Sequence, residues 1–463
     1  MKITNKIVAS VAISLPFSAA VIAKTTEKSA PNIVFILADD LGYGDLSCYG
    51  SQSIATPNID EMARQGIKFT HCYAGSAVSS PSRACMLTGK FPLRYNIRHH
   101  FDDREMHLQA DAVTIPMLLK QANYTSIHIG KWHLGGLRLQ DFENRNNKKA
   151  ALPGPLEHGF DSYLCGIEDP LIRAALVEKR ELYRRGGEFL VANDKRLDKN
   201  PKHGEDIKTD EAIRVIEKYS KQHKPFFLNL WFEAPHTPYE PVPEPHYSKY
   251  VNSGATGDQL LFRSMVSHLD ANVGKILKKL KELGIEKNTI VVFTSDNGPA
   301  YQGSPGPFRG GKTDLHEGGI RVPCIIQWKG HVISNLISQE TIHFADFMPT
   351  FSHLAGADDS KVKEDGIDIS NYLLTQIPLK KRTLCFQMDL YKEYQNQGPK
   401  PFPYATTVII ENNWKLLGDS IKPLELFNLG NDHREIYNLL NQNPEIQNNM
   451  QLMLNKFWFD PRK

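Results

Sequence analysis

Asp39-Asp40 and Asp296-Asn297 bring three carboxylates and an amide carbonyl into two short runs of the chain. Hard oxygen donors of this kind suit Ca2+ or Mg2+ and not zinc. A single Asp-Asp is more often a helix cap or a turn. Two such pairs, with cationic groups between them, point to a site for one divalent ion. The runs Gly130-Lys131-Trp132-His133 and Glu233-Ala234-Pro235-His236 add a lysine and two histidines. Lysine stays charged at neutral pH and can hold an anion; histidine can carry a proton there. Ser79-Ser80-Pro81-Ser82-Arg83, continued by Ala84 to Lys90, contributes a hydroxyl and a guanidinium. Short Ser/Pro strings are usually turns, and unassisted serine is a poor nucleophile.

Each of the four charged runs follows an apolar segment. Asn32 to Ala38, Tyr124 to Ile129, Pro225 to Phe232 and Thr289 to Thr294 read as strands buried on both faces of a parallel sheet. Ile320 to Trp328 reads as another, with Pro323 weakening it or placing it near an edge. Helices are expected over Asn58 to Gln65, from a Thr209 cap through Tyr219, and over Phe262 to Leu283. The last carries an apolar stripe of Met265, Val266, Leu269, Val273, Ile276, Leu277 and Leu280, stopped by Gly284. Alternating strands and helices predict an α/β fold with a largely parallel sheet. Ligands gather outside the carboxyl ends of such strands, so four charged endings should converge.

Beyond about Leu379 the pattern changes. Thr383 to Met388, Ala405 to Glu411, Trp414 to Gly418 and Leu424 to Phe427 suit a small antiparallel sheet, closed by an amphipathic helix over Glu445 to Phe459. Residues 31–379 are therefore expected to form the catalytic α/β domain and residues 380–463 a C-terminal α+β subdomain.

A chain of 463 residues, 41% hydrophobic and 23% charged, has an ordinary globular composition with room for both parts. Its formal net charge of +3 offers no footprint for nucleic acid or an anionic membrane. Lys2, Lys6 and the apolar Ile7 to Ile22 read as a signal peptide over residues 1–23, with Ala20 or Ala23 before the cleavage point. Export to the periplasm or beyond is expected, with no stable membrane anchor after cleavage. The six cysteines show neither a disulfide framework nor a zinc pattern. His71, His128 and His343 are expected to be structural, and Glu317 and Arg321 to pair.

The ordered motifs resemble those of type I sulfatases. The resemblance rests on Leu37 to Asp45, Thr56 to Asp60, the Ser79 run, Gly130 to Gly135, Ser295 to Gly298, and Arg309 to Pro323. It spans roughly residues 31–440, with echoes at Trp414 to Leu416 and Leu424 to Leu429. It implies an alkaline-phosphatase-like fold: a large, mixed, mostly parallel sheet flanked by helices, plus the small antiparallel sheet. It implies that Ser79 is oxidised to formylglycine, and a serine there implies a maturating enzyme of the anaerobic radical type. It places Asp39, Asp40, Asp296, Asn297 and modified Ser79 on one divalent ion, usually Ca2+, with Mg2+ as the alternative. Arg83, Lys131, His133, His236 and Lys312 complete the implied catalytic set. In the implied chemistry one hydroxyl of the hydrated aldehyde attacks sulfur and releases the alcohol, and the other then drives collapse back to the aldehyde and expels sulfate. His236 is assigned to the leaving oxygen and His133 to the second hydroxyl; sequence allows the two roles to be exchanged.

A sulfated carbohydrate, an algal galactan or a glycosaminoglycan fragment, is the expected substrate. Arg98-His99-His100-Phe101-Asp102-Asp103-Arg104 suits a sugar-sulfate pocket or a charged surface loop. The basic residues 136–203, with Arg138, Arg145, Lys148, Lys149, Arg173, Arg180, Arg184 and Arg185, suit polyanion binding or a solvated lid. Two other classes compete: a phosphoester or phosphonate hydrolase of the same superfold, and a non-catalytic exported glycan-binding protein.

Overall fold

The computed structural model describes residues 30–101, 106–146, 151–166, 190–193, 195–196, 202–389 and 405–459. The expected signal peptide lies outside them. So do Asp102, Asp103, Arg104, Lys148, Lys149, Arg173, Arg180, Arg184 and Arg185, and the side chain of Arg145. No helix among the described residues is long and apolar enough to cross a membrane.

Ten strands make the large sheet. They are β1 (Asn32–Ala38), β2 (Ile67–Tyr73), β3 (Thr125–Gly130), β4 (Ser162–Gly166), β5 (Leu190–Ala192), β6 (Lys195–Arg196), β7 (Phe226–Trp231), β8 (Thr289–Ser295), β9 (Arg321–Gln327) and β10 (Leu336–His343). Their order is β10-β2-β9-β8-β1-β7-β3-β4-β5-β6. Strand β1 shows why continuous apolar runs suit its middle. Ile33, Phe35 and Leu37 enter one core cluster, while Val34, Ile36 and Ala38 enter the cluster on the other face. The neighbours β8, β1, β7 and β3 all run parallel, so their carboxyl ends lie side by side. β9 is antiparallel to both β8 and β2. Two reversals restore direction, and β2 ends on the same edge as the parallel group.

Pro323 does not mark an edge: β9 lies between β8 and β2. Its register with β2 passes from Phe69↔Cys324 to Cys72↔Val322, a bulge centred on the proline. The missing N–H falls where the ladder is already interrupted. The helix expected from Thr209 begins five residues earlier, at Gly204, and runs to Lys221. His203 caps it, accepting from Glu205 N, and Thr209 Oγ1 turns inward to Glu205 O. The long helix spans Gly257–Glu282, and Met265, Val266, Leu269, Val273, Ile276 and Leu280 are buried as the stripe requires.

The second sheet contains β11 (Leu384–Gln387), β12 (Thr407–Glu411), β13 (Trp414–Asp419) and β14 (Lys422–Asn428), all antiparallel. One face holds Met450 and Leu454 of the closing helix Pro444–Phe459 against Ile409, Leu416 and Leu426. The other packs Phe386, Val408 and Leu417 on Tyr73, Ala77 and Val78, the residues that lead into Ser79. A buried ionic knot fastens the same junction. Lys415 Nζ lies 3.0 Å from Glu317 Oε1 and 2.8 Å from Glu435 Oε1. Tyr73 Oη and Arg321 Nη1 donate to Glu317 Oε2 at 2.8 and 3.1 Å.

Candidate active site

Ser79 opens the helix Ser79–Thr88, whose ten residues are all buried. The three serines of its first turn have different tasks. Ser80 Oγ accepts from Phe101 N at 2.9 Å, and Ser82 Oγ from Gly75 N at 3.1 Å. Ser79 Oγ instead lies 3.3 Å from Asp39 Oδ1, 3.5 Å from Asn297 Oδ1 and 3.5 Å from Lys131 Nζ. The helix N-terminus behind it favours negative charge at this point. Arg83 follows one turn later on the same helix face. Its Nε and Nη2 both donate to Asp296 Oδ2, at 3.1 and 2.7 Å, and its guanidinium lies 4.9 Å from the Trp231 ring.

The four parallel strand ends supply the rest. β1 delivers Asp39 and Asp40, and β8 delivers Asp296 and Asn297. Asp40 adopts a left-handed φ of 61°, and its N–H donates to Asp296 Oδ1 at 3.2 Å. Asn297 Nδ2 donates to Asp40 Oδ1 at 2.8 Å, which turns Asn297 Oδ1 toward Ser79. After β3, Lys131 Nζ reaches Asp39 Oδ2 at 2.6 Å. His133 takes a φ of 55° two residues on, with its ring 6.1 Å from that of His100. After β7 comes His236, whose Nε2 is 3.5 Å from Asp40 Oδ2. Lys312 enters from the β8–β9 loop, 2.8 Å from Asp40 Oδ2 and 3.3 Å from His236 Nε2. Side chains as distant in the chain as Asp40 and Lys312, 272 positions apart, thus meet in one cluster.

Burial sets its electrostatics. It pushes Asp39 up, but Lys131, His236, Arg83 and Lys312 outweigh it and hold the carboxyl well below its usual range. Asp40 is lowered too: burial opposes, and Lys312 and His236 prevail. Asp296 goes the other way, to about 6, through burial and the charge of Asp39. Burial lowers Lys131. Lys312 is raised, since Asp40 and Asp39 overcome its burial. His236 falls to about 3, mainly by burial, against the pull of Asp39 and with Lys312 adding repulsion.

The donor set fits a hard divalent cation. Three carboxylates and Asn297 are at most 2% exposed, and oxygens of Asp39 and Asn297 converge on Ser79 Oγ. Crowded buried carboxylates, with Asp296 pushed toward protonation, are what such an ion relieves. The ligand atoms of Asp39, Asp40 and His236 lie within 4.8 Å of one another.

A second ionic brace was not visible in the sequence pattern. Glu205 Oε1 accepts from Glu233 N and Ala234 N at 2.9 and 2.8 Å, and buried Lys208 Nζ bridges Glu205 and Glu233 at 3.1 and 3.3 Å. It holds the turn that presents His236. Placing the helix start at Thr209 hid both residues; the i, i+3 Glu-Lys spacing ahead of it was the available signal. Glu317 and Arg321 do pair, at 3.1 Å. His71, His128 and His343 lie in or at the end of strands, and burial lowers the pKa of each. None of the six cysteines is in a disulfide, and five are buried.

The family model described as Sulfatase matches residues 31–357. N-acetylgalactosamine-6-sulfatase of Rattus norvegicus is 34% identical over 363 residues, 73% of this chain. The match spans 65% of the rat enzyme, just under two thirds of its length. N-acetylgalactosamine-6-O-sulfatase of Bacteroides thetaiotaomicron is 31% identical over 495 residues, covering 91% of this chain and 89% of that one. Among solved structures, Ps i-CgsB in complex with k-i-k-neocarrahexaose aligns with a TM-score of 0.78 and 28% identity, over 93% of each chain. The chain belongs to the sulfatase family of sulfuric ester hydrolases, with its alkaline-phosphatase-like fold.

Proposed function

We propose that this protein hydrolyses a sulfate ester on a carbohydrate, with residue 79 acting as formylglycine. The observation that carries the reading is the position of Ser79 Oγ, at a buried helix N-terminus between Asp39, Asn297 and Lys131. Relatives named as sugar sulfatases support the carbohydrate. When present, formylglycine as its hydrate would supply the nucleophilic hydroxyl, and one Ca2+ or Mg2+ held by Asp39, Asp40, Asp296 and Asn297 would polarise the sulfate oxygens.

The chain's own groups divide the remaining work. Asp39, Asp40 and Asp296 balance Lys131, Lys312 and Arg83, so one divalent ion would leave the site two units positive toward a sulfate monoanion. Arg83 is committed to Asp296 and holds that ligand in place. Lys131 and Lys312 are the more exposed cations and bind the sulfate oxygens. His236 Nδ1 donates to Thr237 O, which leaves Nε2 to accept from Lys312 Nζ. The proton for the leaving oxygen therefore resides on the Lys312–His236 pair and not on His236 alone. His133 is assigned to the second hydroxyl. Export by the leader, and maturation of Ser79 by a radical-type enzyme, belong to the same reading.

Peptide mass spectrometry of protein co-expressed with such a maturase tests it. Residue 79 should lose two hydrogens, and the matured protein should release sulfate from a sulfated-glycan panel. Full activity with unmodified serine would overturn the mechanism. Faster turnover of the phosphate ester than of the sulfate ester of one alcohol would favour the phosphoesterase reading.

A further inference from the structure

Tyr301 is 77% exposed and sits four residues beyond Asn297. Among the described residues it is the one large, exposed apolar side chain on a loop leaving a site-bearing strand. It occupies the second position of a turn closed by Gly303 N to Ala300 O at 3.0 Å. Its φ is 46°, a left-handed value that glycine or asparagine adopts more readily. A tyrosine held there is displayed at a conformational cost.

The loop that carries it is fixed at both ends and in the middle. Gly298 N donates to Gly319 O, and Lys312 N to Pro299 O, both at 2.8 Å. Gln302 N donates to Tyr239 Oη at 3.3 Å, and Ser304 N to buried Asp45 Oδ1 at 2.9 Å. Tyr239 packs edge-on against Phe262 of the long helix and lies three residues past His236. Tyr301 therefore stands on the β8–β9 loop that also delivers Lys312, where that loop is bonded to the turn that follows His236.

The more exposed residues of the site come from the same two loops. Lys312 and His236 retain 24% and 13% side-chain exposure, against 3% for Asp40 beneath them. A sugar whose sulfate is held by Lys312 beside neutral His236 would extend its chain outward along these loops. A flat ring with a polar tip, carried on a backbone fixed by these bonds, is the group that takes the apolar face of a sugar ring at low entropic cost.

We propose that Tyr301 is the platform of a second sugar subsite, stacking on the pyranose next to the one that bears the sulfate. The proposal rests on the sulfated-carbohydrate reading and adds that the substrate is an oligosaccharide. Binding is measured first, by calorimetry on protein with Ser79 unmodified, using chondroitin 6-sulfate and κ-carrageenan tetrasaccharides. At least one should bind, and Tyr301→Asn should weaken it fivefold or more. Asparagine tolerates the left-handed turn, so its loss reports the ring and not the backbone. Tyr301→Trp should stay within about threefold of the native affinity. In matured protein, Tyr301→Asn should lower the ratio of tetrasaccharide to aryl sulfate kcat/KM at least tenfold, through KM. Equal binding by Tyr301→Asn, an unchanged ratio, or no binding of either tetrasaccharide would overturn the platform. A matured protein that binds but releases no sulfate from any ester would instead overturn the sulfatase reading.

Discussion

Lys312 Nζ and His236 Nε2 meet at 3.3 Å, and the lysine reaches Asp40 Oδ2 from the same position at 2.8 Å. One ammonium thus joins a histidine held neutral, at about 3, to a carboxylate held ionised. Neither contact is available to a shorter side chain.

Lys312→Ala should lower kcat for sulfate release by about 10²–10³-fold, the usual loss for one preorganised charge or donor. The lysine is 24% exposed, so the fold should survive. Ion chromatography of released sulfate, beside a thermal melt, separates the two effects. An unchanged kcat would remove Lys312 from the reacting site.

Calcium should raise the melting temperature of the purified protein, and EDTA should lower it. At a hundredfold excess over Kd the gain is about 2.7 kcal/mol. Asp296→Asn, which removes the charge of a proposed ligand at a fully buried position, should abolish most of the response. Scanning calorimetry with Ca2+, Mg2+ and EDTA reads this without turnover.

Stability should fall at alkaline pH through His316. Burial disfavours its charge, but Asp314 and Glu425 outweigh that, and its pKa rises from 6.5 to about 9. Nε2 lies 2.8 Å from Glu425 Oε2 in β14, so the imidazolium ties the β8–β9 loop to the second sheet. A folded value above the unfolded one means the contribution is full below about pH 6.5 and fades as pH rises toward 9. Its size is on the order of 3 kcal/mol. Melting temperatures from pH 6 to 9.5 should drop more steeply for the native chain than for His316→Gln.

Lys415→Met should destabilise the protein by about 3–5 kcal/mol, because it leaves Glu317 and Glu435 buried without their shared cation. Denaturant titration measures the loss. A cost under about 1 kcal/mol would mean the knot relaxes.

Much of the site was legible because each charged run follows an apolar strand, and β8, β1, β7 and β3 are neighbours as the α/β pattern requires. The glycines around the Lys312 loop mark points of close backbone passage. A Cβ on Gly319 would stand 1.7 Å from Asp314 O, and one on Gly298 would stand 1.8 Å from Gly318 O. Strand β2, which leads into Ser79, escaped notice. Its bulge opposite Pro323 breaks the alternation of Ile67 and Phe69 before Cys72 and Tyr73. β10 was missed for a related reason: its outer half is largely exposed and its register slips between Ser338 and Thr341. The pairing of Lys208 with Glu233 joins distant segments, and the local Glu205-Lys208 spacing does not name that partner.

The adjacency of the four parallel strand ends has a wider meaning. Neighbouring strands keep a spacing of about 4.8 Å whatever their loops do. The breadth of the reacting centre is therefore ruled by backbone hydrogen bonds, as fixed as the pitch of a comb. Loops beyond the first few residues can lengthen, change sign or trade aromatic groups without moving Asp39 relative to Asp296. Divergence toward new substrates can proceed at the rim while the chemistry beneath is insulated from it.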